Sequence, residues 1–209
     1  MISGTREKTY IAGNLTVEDW ENQKRILTIG GSPDSWADAF DNFFLQRLKL
    51  RYFRPIEFIQ KNGDWRGEGF SMVSLQCALI EFLAATRNGM KYRHLKRGEV
   101  LGQFEYTKSG TVFCQFLQDE MPFKRWFDEN SAADFYSSVR CALLHEARTK
   151  SGWRIWRTGA PAVDTARKIV FCDFLQEAIG AYVDEYGRRL LDDATLQSAF
   201  IRKFDDLAT

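Results

Sequence analysis

The chain has 209 residues with 29 basic and 28 acidic side chains, a formal charge of +1, so its total charge carries no polyanion-binding signature. Hydrophobic residues make up 44% and aromatic residues 14%, which is ample for a packed core and excludes a largely disordered chain. The length suits one ordinary domain, read here as a helical domain over residues 35–209 preceded by an extension over residues 1–34.

That extension is partly β or irregular. It mixes the β-leaning runs KTYIAG and RILTIGG with polar residues and closes on GGSPDS, a loop signal. Capped by Asp34 or Ser35, WADAFDNFFLQRLKLRYF predicts a helix, because Trp36, Phe40, Phe43, Phe44, Leu48 and Tyr52 fall on one stripe. Pro55 is expected to end or kink it, and KNGDWRGEG to form a turn.

FSMVSLQCALIEFLAAT is apolar nearly all round, which predicts a central helix buried among others. Its one carboxylate, Glu81, requires a partner, for which an arginine is the natural candidate. The Gly67-Glu68-Gly69 stretch ahead of it reads as punctuation or as an anion-binding turn. Asn88-Gly89 stops the helix.

A basic segment follows, with Arg87, Lys91, Arg93, Lys96 and Arg97 and no carboxylate. TVFCQFLQDEM predicts a shorter amphipathic helix. NSAADFYSSVRCALLHEAR predicts another, with Ser131 and Asp134 at capping-box spacing and Phe135, Val139, Ala142 and Leu143 as its stripe. Beyond it Arg148, Lys150, Arg154 and Arg157 form a second basic segment. If the two segments meet, they create a local positive field; otherwise they are two solvated loops.

WRIWR suits a short strand or ordered turn, VDTARKIVFCDFLQEAIGAYVDEYGRRLL a long amphipathic helix, and LQSAFIRKFDDLA a terminal one. The expected architecture is all-α, five or six helices with minor β elements near the N-terminus and around 153–157.

The four cysteines are widely spaced and form no CxxC or Cys/His cluster, so no metal site or cofactor is expected. Free thiols in apolar runs fit a reducing, cytoplasmic setting. The first thirty residues hold no continuous apolar stretch, and the most apolar segment is broken by Gln76 and Glu81, so neither a secretion signal nor a membrane span is expected.

Chemistry centres on SSVRCALLHEARTK, with Arg140 five residues before His145, one of only two histidines. A histidine can give or take a proton near neutral pH, and an arginine offers a fixed fork of donors for phosphate. Together they suit metal-free RNA cleavage, in which a base frees the 2′-hydroxyl to attack phosphorus and an acid protonates the leaving 5′-oxygen. On an ideal helix the two residues lie about 140° apart around the axis and about 7.5 Å along it, so they do not share one stripe. Arg148 is the nearer helical neighbour of His145. Arg87 and His94 repeat the pattern but straddle Asn88-Gly89. The competing account is a histidine on a mixed helix face, hydrogen-bonded within the core.

RCALLH, Arg140 to His145, has the R-x4-H form of the HEPN superfamily, and FYSSVRCALLHEARTKSGWRI with GEGFSMVSLQCALIEFLAATRNG resembles a bacterial HEPN group found among toxin and defence-associated proteins. The resemblance implies an α-helical bundle and a metal-independent endoribonuclease acting as a homodimer, with Arg and His of both copies lining one cleft. Arg140 would then stabilise the scissile phosphate and His145 would act as acid or base. Glu146 and Arg148 would support the site, the alternative being an exposed intrahelical pair; Lys150, Arg154 and Trp156 would bind and stack on RNA, the alternative being that Trp153 and Ile155 pack on the bundle and the cations lie in water. An antitoxin or defence-system protein would be a further partner. Cys141 departs from the pattern, since that position is often polar in active members. Other HEPN domains are non-catalytic modules that bind nucleic acid, nucleotide or a protein, and a helical interaction protein without a ligand is a third reading.

Overall fold

The computed structural model describes residues 8–209; the first seven residues of the expected N-terminal extension lie outside the described residues. Among the described residues the chain is mostly helical with short strands. Seven helical runs occur: α1 (Val17–Ile26), α2 (33–62), α3 (Glu68–Asn88), α4 (Ser109–Asp119), α5 (129–146), α6 (Cys172–Leu190) and α7 (Ala194–Leu207). The strands are β1 (Tyr10–Ala12), β2 (Leu15–Thr16), β3 (Lys91–Tyr92), β4 (Glu105–Tyr106), β5 (Arg154–Trp156), β6 (Val163–Asp164) and β7 (Ile169–Phe171). β1 pairs with β2 antiparallel and β3 with β4 parallel, while β7 lies between β5, to which it is parallel, and β6, to which it is antiparallel.

α3 is the axis of the fold. Its buried residues, among them Met72, Val73, Gln76, Cys77, Leu79, Ile80, Leu83 and Ala84, point in several directions around the helix, so α2, α4, α5, α6, α7 and β5 all pack on it. This is the one helix among the described residues long and apolar enough to cross a membrane, and it forms the centre of the bundle. It ends at Gly89, whose φ of 61° is left-handed and whose Cα faces α7 so closely that a Cβ would meet the Ala199 carbonyl oxygen at 2.6 Å. Glycine is needed there on both counts.

Aromatic rings from four helices close the other side of the core. Phe44 of α2 stacks on Tyr186 of α6 at 5.0 Å, Phe200 and Phe204 of α7 stack at 4.5 Å, and Trp20 of α1 lies 5.1 Å from Phe204. The Trp20 indole also donates to Asp205 at 3.0 Å. From Ile11 onward, therefore, the segment read as an extension contributes to the same core.

Several local expectations are corrected. RILTIGG is not a strand: its first residues complete α1, which a Thr16–Asp19 capping box begins and whose last turn carries Lys24 and Arg25. Pro55 does not end α2, because the wide π-turn Lys49–Phe53 immediately before it relieves the clash between the ring and the preceding turn. The cap of α5 is Asp128 with Ser131, three residues earlier than expected, and this frees the Asp134 carboxylate to accept from Ser138, Trp153 and Lys168. The long helix expected from Val163 begins only at Cys172, since Ile169, Val170 and Phe171 form the buried middle strand β7 after a turn at Lys168 with φ of 56°.

Phe44 is fully buried among Phe40, Phe82, Tyr186, Phe200 and Phe204, so Phe44→Ala should lower unfolding free energy by about 3–5 kcal/mol in urea denaturation. Tyr186 is equally buried, but its hydroxyl has no partner among the described residues. Tyr186→Phe should leave stability unchanged or raise it by about 1 kcal/mol.

Candidate functional site

Glu81 projects from the central helix α3, and the arginine expected opposite it is Arg140 itself. The Arg140 Nη2 donates to Glu81 Oε2 at 2.6 Å, with both side chains about one-fifth exposed. Burial alone would lower the Arg140 pKa; the charge and hydrogen bond of Glu81 outweigh it and hold the guanidinium protonated. The ring of Tyr136, one turn earlier on α5, lies 5.5 Å from the guanidinium carbon, and its hydroxyl is fixed 2.7 Å from Ser109. Arg140 is thus clamped on two sides, while its Nε and Nη1 have no partner among the described residues.

Local backbone geometry contributes to this placement. Tyr136–Cys141 is a π-helical stretch, followed by a last α-turn, Ala142–Glu146, that carries His145. Such widened turns rotate the side chains that follow them relative to those before. Ala147, at φ of 52°, then ends the helix, and the chain doubles back so that Lys150 N donates to the Ser138 carbonyl at 2.8 Å.

Arg140 faces an open cleft of about 290 Å³ that it lines with Glu81, Phe82, Tyr106 and Lys203. His145 does not line this cleft. It is exposed on the last turn of α5, has no hydrogen-bond partner among the described residues, and stands beside Leu144, which is 62% exposed. Within one chain the structure does not bring the Arg140 guanidinium and the His145 imidazole into one pocket, in line with their expected angular separation.

The supporting residues divide into two groups. Glu146 accepts from Arg148 at 2.8 Å and forms an ion pair with Lys150, so one carboxylate is shared between two cations. Trp156 is 44% exposed on β5, with the guanidinium carbons of Arg154 and Arg167 at 5.7 and 5.9 Å from its ring. Beside it, Arg157 lies 4.3 Å over Trp65, and the two tryptophans line a cleft of about 320 Å³ at the N-terminal end of α3. Ile155 packs at Gly69, about 18 Å along α3 from Glu81.

The two basic segments do not merge into one field. Arg87 is in the last turn of α3, whereas Arg154 and Arg157 lie at its opposite end. Several of their cations are also paired: Arg87 with Glu120, Lys91 with Asp206, Arg93 with Glu99 and Glu105, and Arg157 with Asp173. His94 is exposed and remote in sequence from any helical arginine partner beyond Arg87. The Gly67-Glu68-Gly69 turn already holds a carboxylate, because Glu68 accepts from the backbone N–H groups of Asp64 and Gly67 at 3.0 and 2.9 Å. Backbone donors, that of Glu68 itself foremost, hold its pKa at about 2.

Two lining residues were not singled out from the sequence. Lys203 occupies the apolar stripe of α7 between Phe200 and Phe204, and a charged residue on such a stripe is a legible signal. Tyr106 sits in a two-residue strand after an irregular loop and gives none.

The four cysteines are free, and burial pushes the Cys77 and Cys172 thiols up to about 12 and Cys114 to about 11, which suits packing rather than reactivity. No cluster of three or more His, Cys, Asp or Glu side chains with metal-site geometry occurs among the described residues. No family model, curated protein or solved structure matches the chain.

Removing the Glu81 carboxylate leaves a partly buried guanidinium without its counter-charge. Glu81→Gln should therefore lower unfolding free energy by about 1–3 kcal/mol, measured as a shift in the urea midpoint at constant slope.

Proposed function

We propose that the protein is a metal-independent ribonuclease of HEPN type that works as a homodimer. The observation that carries this reading is the contrast on α5: Arg140 is fixed at the rim of a cleft with donors to spare, and His145, one turn on, is exposed and uncommitted. A fixed guanidinium suits a phosphate whose charge grows during the reaction, because no reorganisation is needed when that charge appears. An uncommitted imidazole at the surface is free to exchange a proton with a 2′-hydroxyl or a leaving 5′-oxygen.

The two groups lie on different sides of α5, and one imidazole is a poor candidate for both acid and base. A twofold axis beside the end of α5 would place His145 of one copy near Arg140 of the other and supply a second imidazole. Cleavage would leave a 2′,3′-cyclic phosphate on one fragment and a 5′-hydroxyl on the other. Arg154, Trp156 and Arg167 would hold RNA away from the cut, with the indole stacking on a base between two cations.

A second reading has its own support. The Arg140–Glu81 pair gives the arginine a counter-charge within the fold, as it would in a non-catalytic module that binds nucleic acid, nucleotide or a protein partner. The two readings separate in one assay.

In EDTA, wild-type protein should cleave single-stranded RNA, and His145→Ala should slow it by about 10²–10⁴. Arg140→Lys keeps a cation opposite Glu81 but loses the planar fork, so it should remain folded and lose about 10²-fold or more in kcat. RNA binding without cleavage, with affinity falling steeply as salt rises, would put the module reading ahead.

A further inference from the structure

The cleft beside Arg140 holds more positive charge than the fold requires. Lys203 reaches into it from α7, 7% exposed, with its ammonium donating to the Met90 carbonyl at 3.0 Å and lying 5.8 Å from the centre of the Phe82 ring. The nearest carboxylate, Asp206, is 3.7 Å away and is engaged more closely by Lys91 at 2.9 Å. Arg47 approaches Phe82 as well, with its guanidinium carbon 5.6 Å from the ring centre. Its hydrogen-bond partner is the Ile11 carbonyl, with no carboxylate partner among the described residues, and burial pulls its pKa down to about 10.

The charged residues that line the cleft are Arg140, Lys203 and Glu81; Arg47, beside Phe82, and Asp206, shared by Lys203 and Lys91, stand near them without lining it. The lining thus holds two cations and one carboxylate, and the second cation, Lys203, is nearly buried. Excess charge of one sign is costly when solvent is excluded, and an anion entering the cleft recovers that cost. Tyr106 completes the lining. Burial pushes its phenol up to about 12, so it stays protonated, and its hydroxyl has no hydrogen-bond partner among the described residues.

We propose that Arg140, Lys203 and Tyr106 form a seat for a phosphoryl group. Arg140 presents the N–H groups not used by Glu81, Lys203 an ammonium, and Tyr106 a hydroxyl, a donor set that matches several oxygens of a tetrahedral anion. A lysine serving only as a cap for the end of α3 would need neither the tyrosine nor the arginine at its side. A neutral ligand has no use for the surplus cation. Under the ribonuclease reading, on which the identity of the ligand rests, the group is an RNA phosphate beside the cut; the same chemistry admits free phosphate or a nucleotide.

The test is calorimetric titration of the full-length protein with inorganic phosphate, and separately with a short 2′-deoxy oligonucleotide that cannot undergo 2′-hydroxyl attack. Phosphate should bind the wild type, and Lys203→Met should weaken it about tenfold or more, with Lys203→Arg recovering part of the loss. Tyr106→Phe, which removes one hydroxyl from the surface of the cleft, should weaken binding by a smaller factor and guards against a folding defect in the lysine variant. Oligonucleotide affinity falling in parallel assigns the seat to nucleic acid, whereas a loss confined to phosphate assigns it to a small anion. The proposal is overturned if the wild type binds neither probe, or if Lys203→Met and Tyr106→Phe bind both as tightly as it does. Phosphate binding without RNA cleavage would keep the seat and remove the ribonuclease reading; cleavage with unaltered phosphate affinity in both variants would do the reverse.

Discussion

A carboxylate on the one helix that is packed on nearly every side sets the terms for the rest of the structure. Burying Glu81 without a cation is too costly for a domain whose net stability is a small difference of large terms, so an arginine must reach it. Arg140 does so at 2.6 Å, and this fixes how α5 lies against α3, where Tyr136 stacks and where the last turn of α5 emerges. The same contact leaves a charged fork at the rim of a cleft. One interaction therefore joins the packing of the bundle to the electrostatics of the candidate site.

That double use creates a tension with consequences for mechanism. An arginine held by a carboxylate is well oriented but partly neutralised, and its net pull on a phosphate depends on what other cations share the cleft. Lys203 supplies this surplus from α7, leaning on the Phe82 ring of α3 that Arg47 of α2 also approaches. At the far end of α3 the surface is different in kind. Arg154 and Trp156 on β5 with Arg167 in the turn before β7, and Arg157 over the half-buried Trp65, combine cations with aromatic faces, a surface for bases more than for phosphates.

Much of the helical layout was legible because the relevant signals are local. The all-round apolar run predicts a buried α3, Asn88-Gly89 marks its end, and Glu81 within it announces a charged partner. The π-turns were not legible, since nothing in the spacing of Phe40 to Phe53 or Tyr136 to Cys141 separates a wide turn from an ordinary one; Pro55 misleads for that reason. The start of α6 was misplaced because Ile169, Val170 and Phe171 continue the apolar pattern while pairing as a strand with β5 and β6, a long-range choice. At the site, Arg140 and His145 stand out by residue type, and the pairs of Glu146 with Arg148 and Lys150 are local, but the approach of Lys203 and Tyr106 to Arg140 depends on tertiary contacts.

Under the proposed function, RNA is cut at a site shared by two copies of the chain, with Arg140 and His145 meeting across the interface. The most direct test of this shared site is the metal-free cleavage rate per chain, followed over a dilution series alongside the mass of the species in solution. The rate per chain should fall as the dimer dissociates. A rate per chain that stays constant down to fully monomeric protein, or no cleavage at any concentration where the dimer is intact, would contradict the account.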